Sequence, residues 1–103
     1  MKKSYARALP RDWQPFAAVF TALGDGHRQR ILLLFERDER LTITELLAVA
    51  PLSRTALTHH VRVLEQAGVL KREKQGREVR YSIDRAILER TLTSVLDYLH
   101  EHH

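Results

Sequence analysis

The chain has 103 residues, 44% hydrophobic and 29% charged, with 17 lysines and arginines against 13 acids and a formal net charge of +4. That length sets a single domain over 1–103 with one modest core, and the basic balance favours an anionic partner, nucleic acid first and anionic membrane second. The lack of cysteine excludes disulfides, thiolate nucleophiles and Cys-based metal sites.

No apolar run approaches the ~18 residues needed to cross a bilayer, and no apolar stretch follows the lysines of "MKKSYARALPRDW" as a signal peptide requires. The expectation is a soluble cytoplasmic protein. Residues 1–11 are polar and basic and are predicted to form a flexible arm. From Asp12, the residues Trp13, Phe16, Ala17, Phe20 and Leu23 recur at helical spacing, with Gly24 as the stop. Asp25 is placed to cap a second helix through "HRQRILLLFER", whose ILLLF run is too apolar for a surface helix and marks it as the expected central core helix. "RLTIT" is short and β-branched and predicts a brief strand. Thr44 is assigned as the cap of a short helix, "ELLAVA", ended by Pro51.

"SRTALTHHVRVLEQAG" predicts a longer helix over 54–67, with Ser53 as N-cap and Gly68 at the C′ position. Leu57, Val61, Leu64 and Ala67 line one face. The opposite face carries Arg54, Thr55, Thr58, His59 and Arg62, while His60 falls at the core edge and is expected to be a hydrogen-bonded packing residue. "VLKREK" and "EVRYSI" predict two strands joined at Gln75-Gly76-Arg77, a hairpin with a basic tip. Asp84 caps a last helix reaching nearly to the C-terminus. Its Leu88, Leu92, Val95 and Leu99 are spaced 4, 3 and 4, a short heptad seam. The predicted order is α-α-(short β)-α-α-β-β-α, a mainly α (α+β) winged helix-turn-helix.

A solvated amphipathic helix would account for a polar outer face over 54–67. DNA readout accounts for its composition as well. The major groove admits one α-helix, and side chains near the helix N-terminus reach base edges when short or bidentate. Arg54 can pair O6 and N7 of guanine, Thr55 and Thr58 offer a hydroxyl and a methyl, and His59 can donate or accept. In the wing, Arg77 and then Lys74 are the candidates for phosphate or minor-groove contact, since alternation along strands sends Lys71, Arg72 and Arg80 to different faces.

"ALGDGHRQRILLLF" resembles the ALGDPTRLRIL-type opening of ArsR/SmtB transcriptional repressors, and "TELLAVAPLSRTALTHHVRVLEQAGVLKREKQGREVRYSI" resembles their helix-turn-helix and wing throughout. Pro51 replaces the family's turn glycine, and Gly26-His27 its Pro-Thr. The resemblance implies a homodimeric repressor that reads an imperfect palindrome in double-stranded DNA and is released by an effector. It implies DNA contact by Ser53, Arg54, Thr55, Thr58, His59, Arg62, Lys74 and Arg77. It implies dimerisation through the first and last helices, with Trp13, Phe16 and Phe20 meeting Leu88, Leu92, Val95 and Leu99; burial of that seam within one protomer is the competing account. For Arg28 and Arg30, which match family positions, a phosphate contact and a structural ion pair are both open.

No cofactor is expected to be required. The family's thiolate sensor sites need cysteines that "LTITEL" lacks. Its other site pairs Asp-x-His at the start of the last helix with His-x-x-His at its end, from opposite protomers. His100 and His103 match the second half and are candidate Zn(II) ligands, whereas Ile87 and Glu89 stand where the first half should be. Two other readings stand beside the repressor: a winged helix that docks on an acidic protein without reading bases, and a zinc-responsive repressor using the C-terminal histidines. Enzymatic use of the histidines is rejected, because no nucleophile, base and orienter occur at usable spacing.

Overall fold

The computed structural model describes residues 3–103. After a 3-10 turn at Lys3–Ala6 come α1 (Gln14–Leu23), α2 (Gly26–Leu34), α3 (Ile43–Val49), α4 (Arg54–Gln66), the hairpin β1 (Leu70–Gln75) and β2 (Glu78–Ile83), and α5 (Arg85–His102). This is the mainly helical winged helix-turn-helix expected from the sequence. Residues 1 and 2 of the predicted arm lie outside the described residues.

The core is built by α4. Its Leu57, Val61 and Leu64 are fully buried against Val19 and Ala22 of α1, Ile31 of α2, Leu46 of α3, and Val69 and Leu70 at the wing base. The ILLLF helix is therefore not the central one. α2 ends at Leu34, with Phe35 already extended, and only Ile31 and Phe35 of that run are buried. A helix two turns long can bury one stripe only, so Leu33 emerges on the far side, 80% exposed.

The predicted strand "RLTIT" is reduced to one bridge, Leu41 with Tyr81 of β2, with backbone N–H···O distances of 2.9 and 2.8 Å. Thr42, not Thr44, caps α3. Its hydroxyl accepts from the N–H of Glu45, whose carboxylate accepts from the N–H of Thr42, each at 3.1 Å. This reciprocal capping box satisfies two helix-end donors and takes the residues a strand would have needed.

Ser53 caps α4 by accepting from Ala56 N–H at 3.1 Å. At the other end Gly68 adopts φ +85°. Its N–H donates to the Glu65 carbonyl (3.0 Å) and Val69 N–H to the Leu64 carbonyl (2.9 Å), the Schellman arrangement, with Leu64 and Val69 both buried beside it. The chain thus leaves α4 and enters β1 within three residues. β1 and β2 pair antiparallel from Leu70↔Ile83 to Gln75↔Glu78, and Gly76 (φ +61°) with Arg77 makes the two-residue turn.

Candidate nucleic-acid interface

The helix-turn-helix consists of α3, the connection through Ala50, Pro51, Leu52 and Ser53, and α4. Because the inner face of α4 is wholly committed to the core, its outer face is fixed in orientation. Arg54, Thr55, His59 and Arg62 are exposed there and Thr58 is half-buried. Ser53 is also exposed, but its hydroxyl is engaged in the cap.

The wing sorts its charges by pleat. Leu70, Arg72 and Lys74 share one face with Tyr81 and Val79; Lys71, Glu73 and Gln75 share the other with Arg80 and Glu78. On the second face Arg80 is consumed, while Lys71 is exposed. Arg80 donates to Glu78, to Glu45 of the α3 cap (3.0 Å) and to the Arg40 carbonyl (2.9 Å), and Arg40 pairs with Glu73 (3.0 Å). The Glu78 and Glu45 carboxylates push the Arg80 pKa up. Hydrogen bonds from Thr42, backbone first and then side chain, with Arg80 adding its charge, hold Glu45 below its ordinary value. Arg80 is therefore a strut between wing and α3. Among the described residues, Arg54, Arg62, Arg72, Lys74 and Arg77 have no acidic partner within 4 Å. The predicted contact residues on α4 and at the wing tip are thus left with unneutralised charge.

A second cluster backs this surface. Asp25 caps α2, accepting from the N–H groups of His27 (2.8 Å) and Arg28 (3.2 Å); partial desolvation opposes its charge, but these hydrogen bonds and the Arg28 guanidinium hold its pKa down. Arg28 Nε donates to the Ala22 carbonyl (2.6 Å) and Gln29 Nε2 to the Leu23 carbonyl (2.6 Å). Both close the C-terminal end of α1, whose last carbonyls lack helical partners. Arg28 also reaches Nδ1 of His60 at 3.2 Å, and Arg30 reaches Nδ1 of His27 at 2.6 Å. A guanidinium only donates, so Nδ1 of each imidazole accepts. The His60 ring lies 5.6 Å from those of His27 and His59, and burial first, then the neighbouring Arg28, His27 and His59, lowers its pKa against the pull of Asp25. His60 is the hydrogen-bonded edge residue expected. Arg28 is structural through a carbonyl and an imidazole rather than an ion pair, a role that sequence spacing alone does not show.

The predicted seam on α5 is largely uncovered: Leu92 is 59% exposed, Leu96 52% and Leu99 45%, with Phe20 of α1 at 42%. Burial within one protomer does not account for these side chains. Leu88 and Val95 are half-buried, and the side of α5 that faces its own protomer carries Thr91, buried because its hydroxyl donates to the Ile87 carbonyl at 2.7 Å. Leu96 belongs to the exposed set and escapes a strict 4-3-4 count. Trp13 and Phe16, both half-buried, stack on each other (5.6 Å), and Trp13 meets Tyr98 of α5 at 5.9 Å. His100 and His103 lie exposed at the end of α5. Among the described residues no group of three or more His, Asp or Glu is placed to hold a metal ion.

Comparison with known proteins places this geometry. A helix-turn-helix domain family matches residues 23–73. The chain is 31% identical to the solved structure of an ArsR-like transcriptional regulator from a Rhodococcus species, superposing with a TM-score of 0.81 over 87% of this chain and 84% of that one. The chain belongs to the ArsR/SmtB family. It is 32% identical over 81% of its length to the cadmium resistance transcriptional regulatory protein CadC homolog of Staphylococcus aureus. It is also 32% identical over 85% of its length to the transcriptional repressor SmtB homolog of a Synechocystis species. The chain spans 66% of the length of each of these two curated relatives. All three relatives are named as transcriptional regulators and none as an enzyme. No helix among the described residues is long and apolar enough to cross a membrane.

Proposed function

We propose that this ArsR/SmtB-family chain is a homodimeric, sequence-specific DNA-binding transcriptional repressor, released from an imperfectly palindromic operator by an effector. The observation that carries it is the arrangement described above: Arg54 and Arg62 on α4 and Lys74 and Arg77 at the wing tip have no acidic partner among the described residues, while Arg80 and Arg40 are tied to acids. In this reading Arg54, Thr55, Thr58, His59 and Arg62 face base edges and phosphates in the major groove. Ser53 presents the helix N-terminus to a phosphate, and Lys74 and Arg77 hold the flanking backbone or minor groove. Dimerisation covers Phe20, Leu88, Leu92, Val95, Leu96 and Leu99.

The test is fluorescence anisotropy on DNA upstream of the chain's own gene against random competitor at fixed salt, since phosphate contacts make affinity steeply salt-dependent. Replacing Thr58 and His59 together by alanine should cost about 1–3 kcal/mol of specific binding and leave nonspecific binding unchanged; equal loss on both DNAs would remove them from base readout. The same titration with Zn(II) decides whether His100 and His103, completed by other ligands in a dimer, form a regulatory site. Release of the specific complex by zinc that is lost in H100A/H103A is the positive result. Indifference to zinc leaves the effector non-metallic.

A further inference from the structure

Between the N-terminal segment, the start of α1 and the end of α5 lies a cavity of about 490 Å³ that the DNA-binding surface does not use. Ligand cavities of this size class are typical of small-molecule sites. Its lining is unusual for so basic a chain. Trp13, Phe16 and Tyr98 line it, with Trp13 set edge-to-face on Phe16 at 87° and against Tyr98 at 61°, and Tyr98 also packed on His102 at 4.5 Å. Tyr5 also lines it, and the charged residues of the lining are two acids, Asp12 and Asp97. Neither acid has a cation within 4 Å among the described residues, although the chain holds 17 lysines and arginines.

We propose that this cavity binds an organic cation with apolar substituents, such as a quaternary ammonium or phosphonium. Aromatic faces carry negative charge density and attract cations that are weakly hydrated. The two carboxylates add charge of the same sign, so the pocket disfavours anions and prefers a cation to a neutral ligand of the same shape. A lysine-like ammonium is less suited than an alkylated one, because its strong hydration is lost on entering an aromatic wall. A bare metal ion finds only the two carboxylates as charged ligands. The site stands independently of DNA binding. Its position against α1 and α5 nevertheless places any occupant beside the helices assigned to dimerisation.

Trp13 is the sole tryptophan, so its emission reports the cavity directly. The full chain, without DNA, is titrated with methyltriphenylphosphonium and in parallel with the neutral triphenylphosphine oxide, which carries the same three phenyl groups. Saturable quenching by the cation is expected, with the oxide binding roughly tenfold or more weakly. The D12N/D97N variant should lose a similar factor for the cation and nothing for the oxide, at unchanged far-ultraviolet circular dichroism. Equal affinity for both probes would overturn the proposal by reducing the cavity to an apolar crevice, and so would an unaltered cation affinity in the folded variant. Absence of saturable quenching would also overturn it. If the double variant fails to fold, the comparison of the two probes on the unmodified chain still decides. Because no DNA is present, failure here leaves the repressor reading untouched.

Discussion

At the scale of single residues, the chain hides its structural arginines among its candidate DNA contacts. Arg28 and Arg80 have the same composition signal as Arg54 and Arg77, yet the first two fix elements to one another and the others end in solvent. Two consequences can be measured. Arg77→Ala should weaken binding to all DNA sequences alike and lower the slope of log affinity against log salt by about one, with no change in melting temperature. His60 gives a pH dependence. Its pKa is lowered in the fold by burial, so the native state favours the neutral ring that accepts from Arg28. The stability it supplies is complete above the unfolded value, about 6.5, and is lost as pH falls from there through the lower folded value, because the unfolded chain then binds more protons. Urea denaturation between pH 8 and pH 5 should show this decline, and His60→Asn, which keeps an acceptor without a titrating ring, should flatten it. An unchanged slope would remove His60 as its source.

At the scale of elements, most of the fold was legible, and the misreadings have physical causes. Ser53, Asp25 and Asp84 announce helix starts because each side chain accepts from a helix-end N–H. Thr42 carries the same signal in T-x-x-E spacing, but the β-branched run "LTIT" competes with it and reads as a strand. A local cap closes at short range, whereas a strand needs a partner along its length, and Tyr81 supplies one bridge only. The ILLLF run misleads for a different reason: hydrophobicity does not say which face is covered. Thr42→Ala, which opens the capping box, should destabilise the protein by about 1 kcal/mol in urea denaturation. Gly68→Ala should cost roughly 1–2 kcal/mol, the penalty of a left-handed backbone for a residue with a Cβ. The nearest atom to that Cβ, Ile87 Cγ1 at 3.8 Å, is at ordinary contact distance, so the loss is conformational rather than steric.

At the scale of the whole molecule, the candidate DNA surface could be traced from sequence because helical periodicity separates inner from outer positions on α4. The aromatic cavity could not, since Tyr5, Trp13 and Tyr98 meet only after α1 and α5 are packed. The exposed leucines of α5 are the feature that a lone protomer leaves unresolved in energy, each retaining apolar surface worth about 25 cal/mol per Å² if covered. L92E/L96E should therefore sediment as a monomer at concentrations where the parent chain sediments as a dimer, and its operator affinity should fall. A persistent dimer would move the interface elsewhere. The three-residue passage from α4 into the wing, closed at Gly68 and braced at Leu41–Tyr81, has a bearing on how such a pair would be regulated. These bonds hold helix and hairpin together, so each protomer presents them as one stencil. In the proposed dimer an inducer would act on the separation and tilt of two stencils along a duplex whose matching grooves recur about every 10 base pairs. Repression would then be switched by loss of phase between two unaltered halves, and lengthening the operator centre by half a helical turn should mimic the inducer.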